Sequence, residues 1–342
     1  MNPILVEIYR NNVLESFHRG VVCVVDKDGE ILYSEGDVQQ VCYPRSAMKF
    51  LQVIPLIENG GIAHFNFTLE EIAVMCGSHN AEVEHLRAVN SILQKIGLDK
   101  TALHCGPQYP TSKKDTEALI KAGERPQDIH NNCSGKHAGM LAMCVMKGWT
   151  TDDYINPQHP LQQLILETCS AFYEYPKEKM TTALDGCSAP IFSVPVYHQA
   201  VGFKNIAHPE QFSDARKSAC ATMIEAVSKH PLMVAGTKRY CTDMMLVTAP
   251  RIIGKTGAEG VFCMSLPQEK MGVCIKIDDG KMLPQYNVAQ AFVEATNLFT
   301  PEQLKPLHHY MQEPITNWNK YVTGEIKVRE GLFQKLSTIL SS

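Results

Sequence analysis

Apolar residues follow two different rhythms along this chain. Residues 4–10 and 20–25 are rich in aliphatic and β-branched side chains, and Asp26-Lys27-Asp28-Gly29 separates the second run from Ile31-Leu32-Tyr33, a pattern that predicts strands and a hairpin. Helical spacing then takes over. Thr68-Leu69-Glu70-Glu71 is a capping box that starts a short helix toward Met75. Across 81–96, Val83, Leu86, Val89, Ile92, Leu93 and Ile96 recur with the period of an amphipathic helix, which Gly97 stops. Further helices are expected over 134–146, with Gly148 beyond the end, over 160–172, and over 209–228. Strands return at 251–255 and 260–264, joined by a glycine-rich connection, and at 271–277. Helices over 287–299 and 301–311 precede a last β-like stretch, 318–328. Strands at both ends with helices between them predict one α/β (α+β) domain over 1–342. Its mostly antiparallel sheet would be built from both chain ends and covered by helices.

Composition narrows the function. A chain of 342 residues with 44% hydrophobic content builds a substantial core. Its 36 acidic residues against 32 basic ones give a net charge of −4 without a long basic run, so neither nucleic acid nor a membrane surface is indicated as a partner. No segment approaches a membrane span and the first residues lack the apolar run of a signal peptide, which points to the cytoplasm. Most of the twelve cysteines sit in apolar surroundings such as Val21-Val22-Cys23-Val24-Val25, as free thiols do in a reducing compartment.

Five stretches carry more polar, small and nucleophilic residues than packing requires. In Tyr43-Pro44-Arg45-Ser46-Ala47-Met48-Lys49-Phe50, Ser46 and Lys49 stand one helical turn apart. Ser-x-x-Lys is the arrangement of serine acyl-transfer enzymes that use lysine as base, although a chain of this size contains on the order of one such match by chance. Cys76-Gly77-Ser78-His79-Asn80 follows a helix end, where a glycine C-cap is the plainer reading. The stretch from His130 to Met140 includes Cys133, Lys136 and His137 and has no large apolar side chain before Met140; an ordinary N-cap is its plainer reading. Asp185-Gly186-Cys187-Ser188-Ala189-Pro190 also reads as a surface turn. Lys255-Thr256-Gly257 on a late strand is a second signature of penicillin-recognising enzymes, in the chain order that the early serine motif requires.

Together these motifs make the chain similar to the rhizobial-type asparaginase II family, whose fold is related to serine β-lactamases and glutaminases. The resemblance rests on Pro44 to Lys49, Cys76 to His79, Asn132 to Met140, Asp185 to Pro190 and Lys255 to Val261, in order along most of the chain. It implies hydrolysis of L-asparagine to L-aspartate and ammonia by a homodimer. It also implies two serine–lysine pairs, Ser46 with Lys49 and Ser78 with Lys255, and a zinc ion held by Cys133, Lys136 and Cys187. Charge complementarity suggests Arg45 for the substrate α-carboxylate and Asp185 for its ammonium, with His137 facing substrate or metal; a structural salt bridge would also explain Arg45. A lysine that serves as base must be neutral, against an ordinary pKa of roughly 10.4, so its site has to disfavour charge. The rival readings are a glutaminase, another serine–lysine hydrolase of β-lactamase type, and a non-catalytic zinc-binding protein on the same scaffold.

Overall fold

The computed structural model describes residues 1–341, which divide into two compact units. One comprises Met1–Ala47, Val194–His208 and Val247 onward; the other comprises Met48–Ser193 and Pro209–Leu246. Neither is a continuous stretch of sequence.

The first unit holds an eight-stranded antiparallel sheet drawn from both chain ends, as the pattern predicted. Its order runs Gln312–Thr316, Val322–Val328, Ile4–Arg10, Val13–Val25, Met271–Ile277, Val261–Leu266 and Ile253–Gly257, with Ile31–Glu35 paired to Val13–Val25 off this path. The long Val13–Val25 strand serves two neighbourhoods. Its exposed first half pairs with Ile4–Arg10, and its buried second half lies between Met271–Ile277 and Ile31–Glu35. The central strands are buried along their whole length because helices cover both faces, which explains their continuous apolar runs. Register places Lys255, Cys263, Cys274 and Cys23 opposite one another in one row. Cys274 Sγ meets Gln199 Oε1 of the Val196–Ala207 helix on this face. Phe262, of opposite parity, meets Tyr286 of the Met282–Ala295 helix on the other, with ring centroids 6.2 Å apart.

The second unit is mainly helical. At its centre the Leu69–Met75 helix packs against Val83–Lys95, Ser134–Lys147 and Asp214–Lys229. The capping box read from Thr68 and Glu71 is present with both reciprocal hydrogen bonds. Close approach is built in at Gly135, where an added Cβ would lie 2.2 Å from the Val74 carbonyl oxygen.

Several boundaries differ from the sequence expectation. The helix expected from 209 begins at Asp214, because the Ser213 side chain caps it. The helix expected over 287–299 spans Met282–Ala295. The stretch 301–311 is a short α-helix, Pro301–Leu304, continuing as a 3-10 helix, Lys305–Tyr310. The expected strand 318–328 is the second arm of a hairpin, Val322–Val328, whose first arm is Gln312–Thr316, and Trp318 lies exposed in the turn. The helices Lys113–Lys121, Val196–Ala207 and Tyr240–Thr248 had no counterpart in the pattern reading.

Candidate active site

In the sheet-bearing unit, Arg45 and Ser46 lie in a 3-10 turn, Arg45–Met48, so the serine motif opens on a tighter turn than the α-helix its spacing suggested. Arg45 adopts a left-handed backbone, φ 52°, immediately before Ser46, a conformation that non-glycine residues adopt at a cost. Its guanidinium is 3.7 Å from Glu259. That partner is largely exposed, so the pair contributes little stability. Lys255 is fully buried on the Ile253–Gly257 strand, its Nζ donating to the Thr256 carbonyl at 3.0 Å. At the end of this strand Gly257 lets the backbone meet Pro44, whose carbonyl oxygen would stand 2.3 Å from an added Cβ.

In the helical unit the motifs converge. The Leu69–Met75 helix ends at Cys76, and Gly77 allows the chain to pass against Met233, whose carbonyl oxygen would be 2.5 Å from a Cβ. The next two residues are pinned by backbone hydrogen bonds, Ser78 N to Val234 O at 2.8 Å and His79 N to Asn132 O at 3.1 Å. His79 Nδ1 accepts from the Ala81 amide, so its Nε2–H is the atom that meets Ser134 Oγ, at 3.0 Å. This bond ties the serine loop to the start of the Ser134–Lys147 helix.

Lys49 joins these elements. Its buried Nζ lies 2.6 Å from Gly77 O, 3.0 Å from Ser78 Oγ and 3.1 Å from Cys133 Sγ. The lysine that reaches Ser78 in this unit is therefore Lys49. Cys133 occupies the N-cap position, held by Asn131 Oδ1, which accepts from its amide at 2.9 Å. Lys136, on the first turn, donates to Cys187 Sγ at 3.0 Å, and Asp185 Oδ2 lies 3.9 Å from the same sulfur. Ser188, at φ 67°, turns the chain here.

These groups set one another's charge. The hydrogen bond from Cys133 holds Cys187 far below the ordinary thiol range against the effect of burial, and Lys136 and His137 pull the same way. Cys133 is pushed far above that range by the same bond and by burial. Burial works against the Lys136 ammonium, but Cys187, Cys133 and Asp185 outweigh it and keep Lys136 charged. Burial lowers the His137 value.

Donor atoms of Cys133, Asp185 and Cys187 all lie within 4.8 Å of one another. Two sulfurs and a carboxylate suit a thiophilic divalent cation such as zinc. Of the expected ligands, Cys133 and Cys187 belong to this group, whereas Lys136 meets it as a hydrogen-bond donor and must lose its proton to ligate. Asp185, expected to hold the substrate ammonium, belongs to the donor set. Sequence reasoning missed Asn131 and Tyr154. Asn131 carried a signal, its place in a dense polar stretch; Tyr154 carried none.

Among solved structures the chain is similar to Mglu in its native form, at 12% identity over 89% of this chain and 71% of that one, with a TM-score of 0.47. It is similar to a β-lactamase from Mycobacterium bovis at 14% identity over 77% and 88%, TM-score 0.38. It is also similar to a class C β-lactamase from Rhodobacter sphaeroides at 13% identity over 85% and 93%, TM-score 0.39. No curated protein matches it in sequence. The L-asparaginase II family model matches residues 6–328, nearly the whole chain, and with every motif of the site inside that span the chain belongs to the L-asparaginase II family.

Proposed function

We propose that this chain is an L-asparaginase, hydrolysing L-asparagine to L-aspartate and ammonia through a serine acyl-enzyme. Family membership supports an amidohydrolase of small molecules. The observation that carries the chemistry is the buried Lys49 amine 3.0 Å from Ser78 Oγ, an amine placed to exchange protons with a hydroxyl.

In this reading Ser46 Oγ attacks the side-chain amide carbon and Lys49 takes its proton. Ser78, hydrogen-bonded to Lys49, relays that proton to the amide nitrogen, and the C–N bond breaks to release ammonia. Water then attacks the ester, Lys49 takes its proton and returns it to Ser46 Oγ as the C–O bond breaks, and aspartate leaves. Lys255 serves the Ser78 relay, Arg45 receives the substrate α-carboxylate, and Asp185 its ammonium. Zinc would be held by Cys133 and Cys187 with Lys136 or Asp185 as a third donor. When bound it would supply a fixed positive charge that orients substrate. The working state is a cytoplasmic homodimer, a compartment that suits twelve cysteines with no disulfide.

The test is ammonia release from L-asparagine, with L-glutamine alongside and the Ser46→Ala and Ser78→Ala variants as controls. Release from asparagine that both variants abolish supports the reading. A wild-type protein that releases no ammonia from asparagine, with zinc supplied, refutes it. Faster release from glutamine reassigns the substrate, since one methylene is worth only ~1–3 kcal/mol of discrimination.

A further inference from the structure

Tyr154 belongs to no motif and to no helix or strand, yet its side chain is completely buried. Its ring stacks on His104, with centroids 5.4 Å apart and planes at 28°, and meets His137 edge-on at 5.5 Å and 77°. Gln162 Nε2 holds its backbone carbonyl at 2.8 Å. So much anchoring of one phenol gives its oxygen a defined position.

That oxygen has two polar neighbours. The His104 backbone amide lies 2.9 Å away and can only donate. His137 Nδ1 lies 2.7 Å away. Among the described residues no other acceptor faces the phenol, so its own proton has one destination, His137 Nδ1. Burial pushes Tyr154 upward and keeps it the protonated donor this arrangement needs. A neutral imidazole that accepts at Nδ1 carries its proton on Nε2. That Nε2 atom is fully buried and meets no hydrogen-bond partner at bonding distance among the described residues, and the groups that act on the ring are Cys187, Lys136 and Lys49.

We propose that Tyr154 is a positioning residue that locks His137 in the Nε2–H tautomer, so that His137 enters the Cys133–Cys187 cluster as a hydrogen-bond donor. A nitrogen that bears a proton can neither take one nor ligate a metal. This resolves the two roles open to His137 from the sequence: it faces the sulfur cluster and whatever anionic group of a substrate reaches it, and it lies outside the metal's ligand set. The consequence for turnover rests on the asparaginase reading; the tautomer does not.

Two measurements keep these apart. In the full-length protein with ¹⁵N-labelled histidine, nitrogen–proton correlation spectra report the tautomer of each ring, and the His137 signal is the one lost in His137→Gln. The wild type is expected to show His137 protonated on Nε2 alone, and Tyr154→Phe to show Nδ1–H or a mixture. A wild-type proton on Nδ1, or a Tyr154→Phe spectrum unchanged from the wild type, overturns the proposal, and the wild-type spectrum decides even if the variant does not fold. In the kinetic arm, Tyr154→Phe is expected to lower kcat for ammonia release about 10- to 100-fold, the usual size of such outer-sphere effects. In a His137→Gln background the same substitution should change kcat by less than about twofold, because Tyr154 acts through His137. An equal loss in both backgrounds makes Tyr154 a structural residue and refutes the positioning role. Absence of ammonia release from the wild type sinks the asparaginase reading alone.

Discussion

Glu71 offers the sharpest stability test, because it caps the helix that delivers Ser78. Its side chain is only 3% exposed, yet it remains a carboxylate with both oxygens hydrogen-bonded. Oε2 accepts from the Thr68 amide at 2.7 Å and from Lys95 Nζ at 2.7 Å, and Oε1 accepts from Ser91 Oγ at 2.7 Å. Glu71→Gln keeps the shape and removes the charge. With the amide oxygen in the Oε2 place, Thr68 and Lys95 keep an acceptor, and the new NH₂ meets the Ser91 hydroxyl, which rotates to accept. The loss is therefore the charge-assisted part of two bonds. Charged hydrogen bonds contribute ~1.5–3 kcal/mol against ~0.5–1.5 for neutral ones, which puts the cost at about 2 kcal/mol at pH 7. Burial raises the affinity of this carboxyl for a proton, but Lys95, the Thr68 amide and Ser91 together outweigh it and hold the group below its ordinary range. A depressed folded-state value means that the stability is present above the unfolded value of about 4.3 and is lost as pH falls through the folded one. Urea unfolding followed by circular dichroism, from pH 7 toward pH 3, should show the gap between wild type and Glu71→Gln shrinking toward zero. A gap that stays constant across this range, or no gap at pH 7, would refute the reasoning.

Other outcomes follow from the same geometry. Lys49→Met removes the amine that reaches Ser78 and should lower the rate of ammonia release by about 10²–10⁴, the usual weight of a general base, measured under saturating asparagine. Gly135→Ala should destabilise the protein in thermal unfolding. The clash with the Val74 carbonyl has the scale of overpacking, ~1–3 kcal/mol, and exceeds the ~1 kcal/mol of helix propensity that alanine gains. Cys187→Ser should weaken the sulfur-to-metal charge-transfer absorption expected on titration with Co²⁺, since Cys133 alone is left to supply it, whereas His137→Gln should leave it in place. Trp318→Ser, at a fully exposed turn position, should move stability by no more than about 0.5 kcal/mol.

What the sequence determined by itself was local or periodic. The Thr68–Glu71 capping box, the helix over Val83–Lys95 and the buried strand Met271–Ile277 were readable because backbone hydrogen bonds close within a few residues and one apolar face repeats with a fixed period. The motifs around Ser46, Ser78, Cys133, Cys187 and Lys255 were readable because chemistry needs particular residue types at close spacing. The helix Val196–Ala207 was not, since it is buried almost all round and shows no polar face to set its period. Nor was the long exposed start of the Val13–Val25 strand, whose partner Ile4–Arg10 fixes it through ladder bonds without an apolar face of its own. Only the tertiary structure decided that Lys49 reaches Ser78 and Cys133, which stand 29 and 84 residues further along the chain. It alone also decided that Asp185 shares a donor cluster with two sulfurs, and that the Tyr154 hydroxyl lies 2.7 Å from His137 Nδ1. Such pairings depend on which surfaces of separate helices and loops pack together, and close packing is a property of the folded chain that no short window of sequence contains.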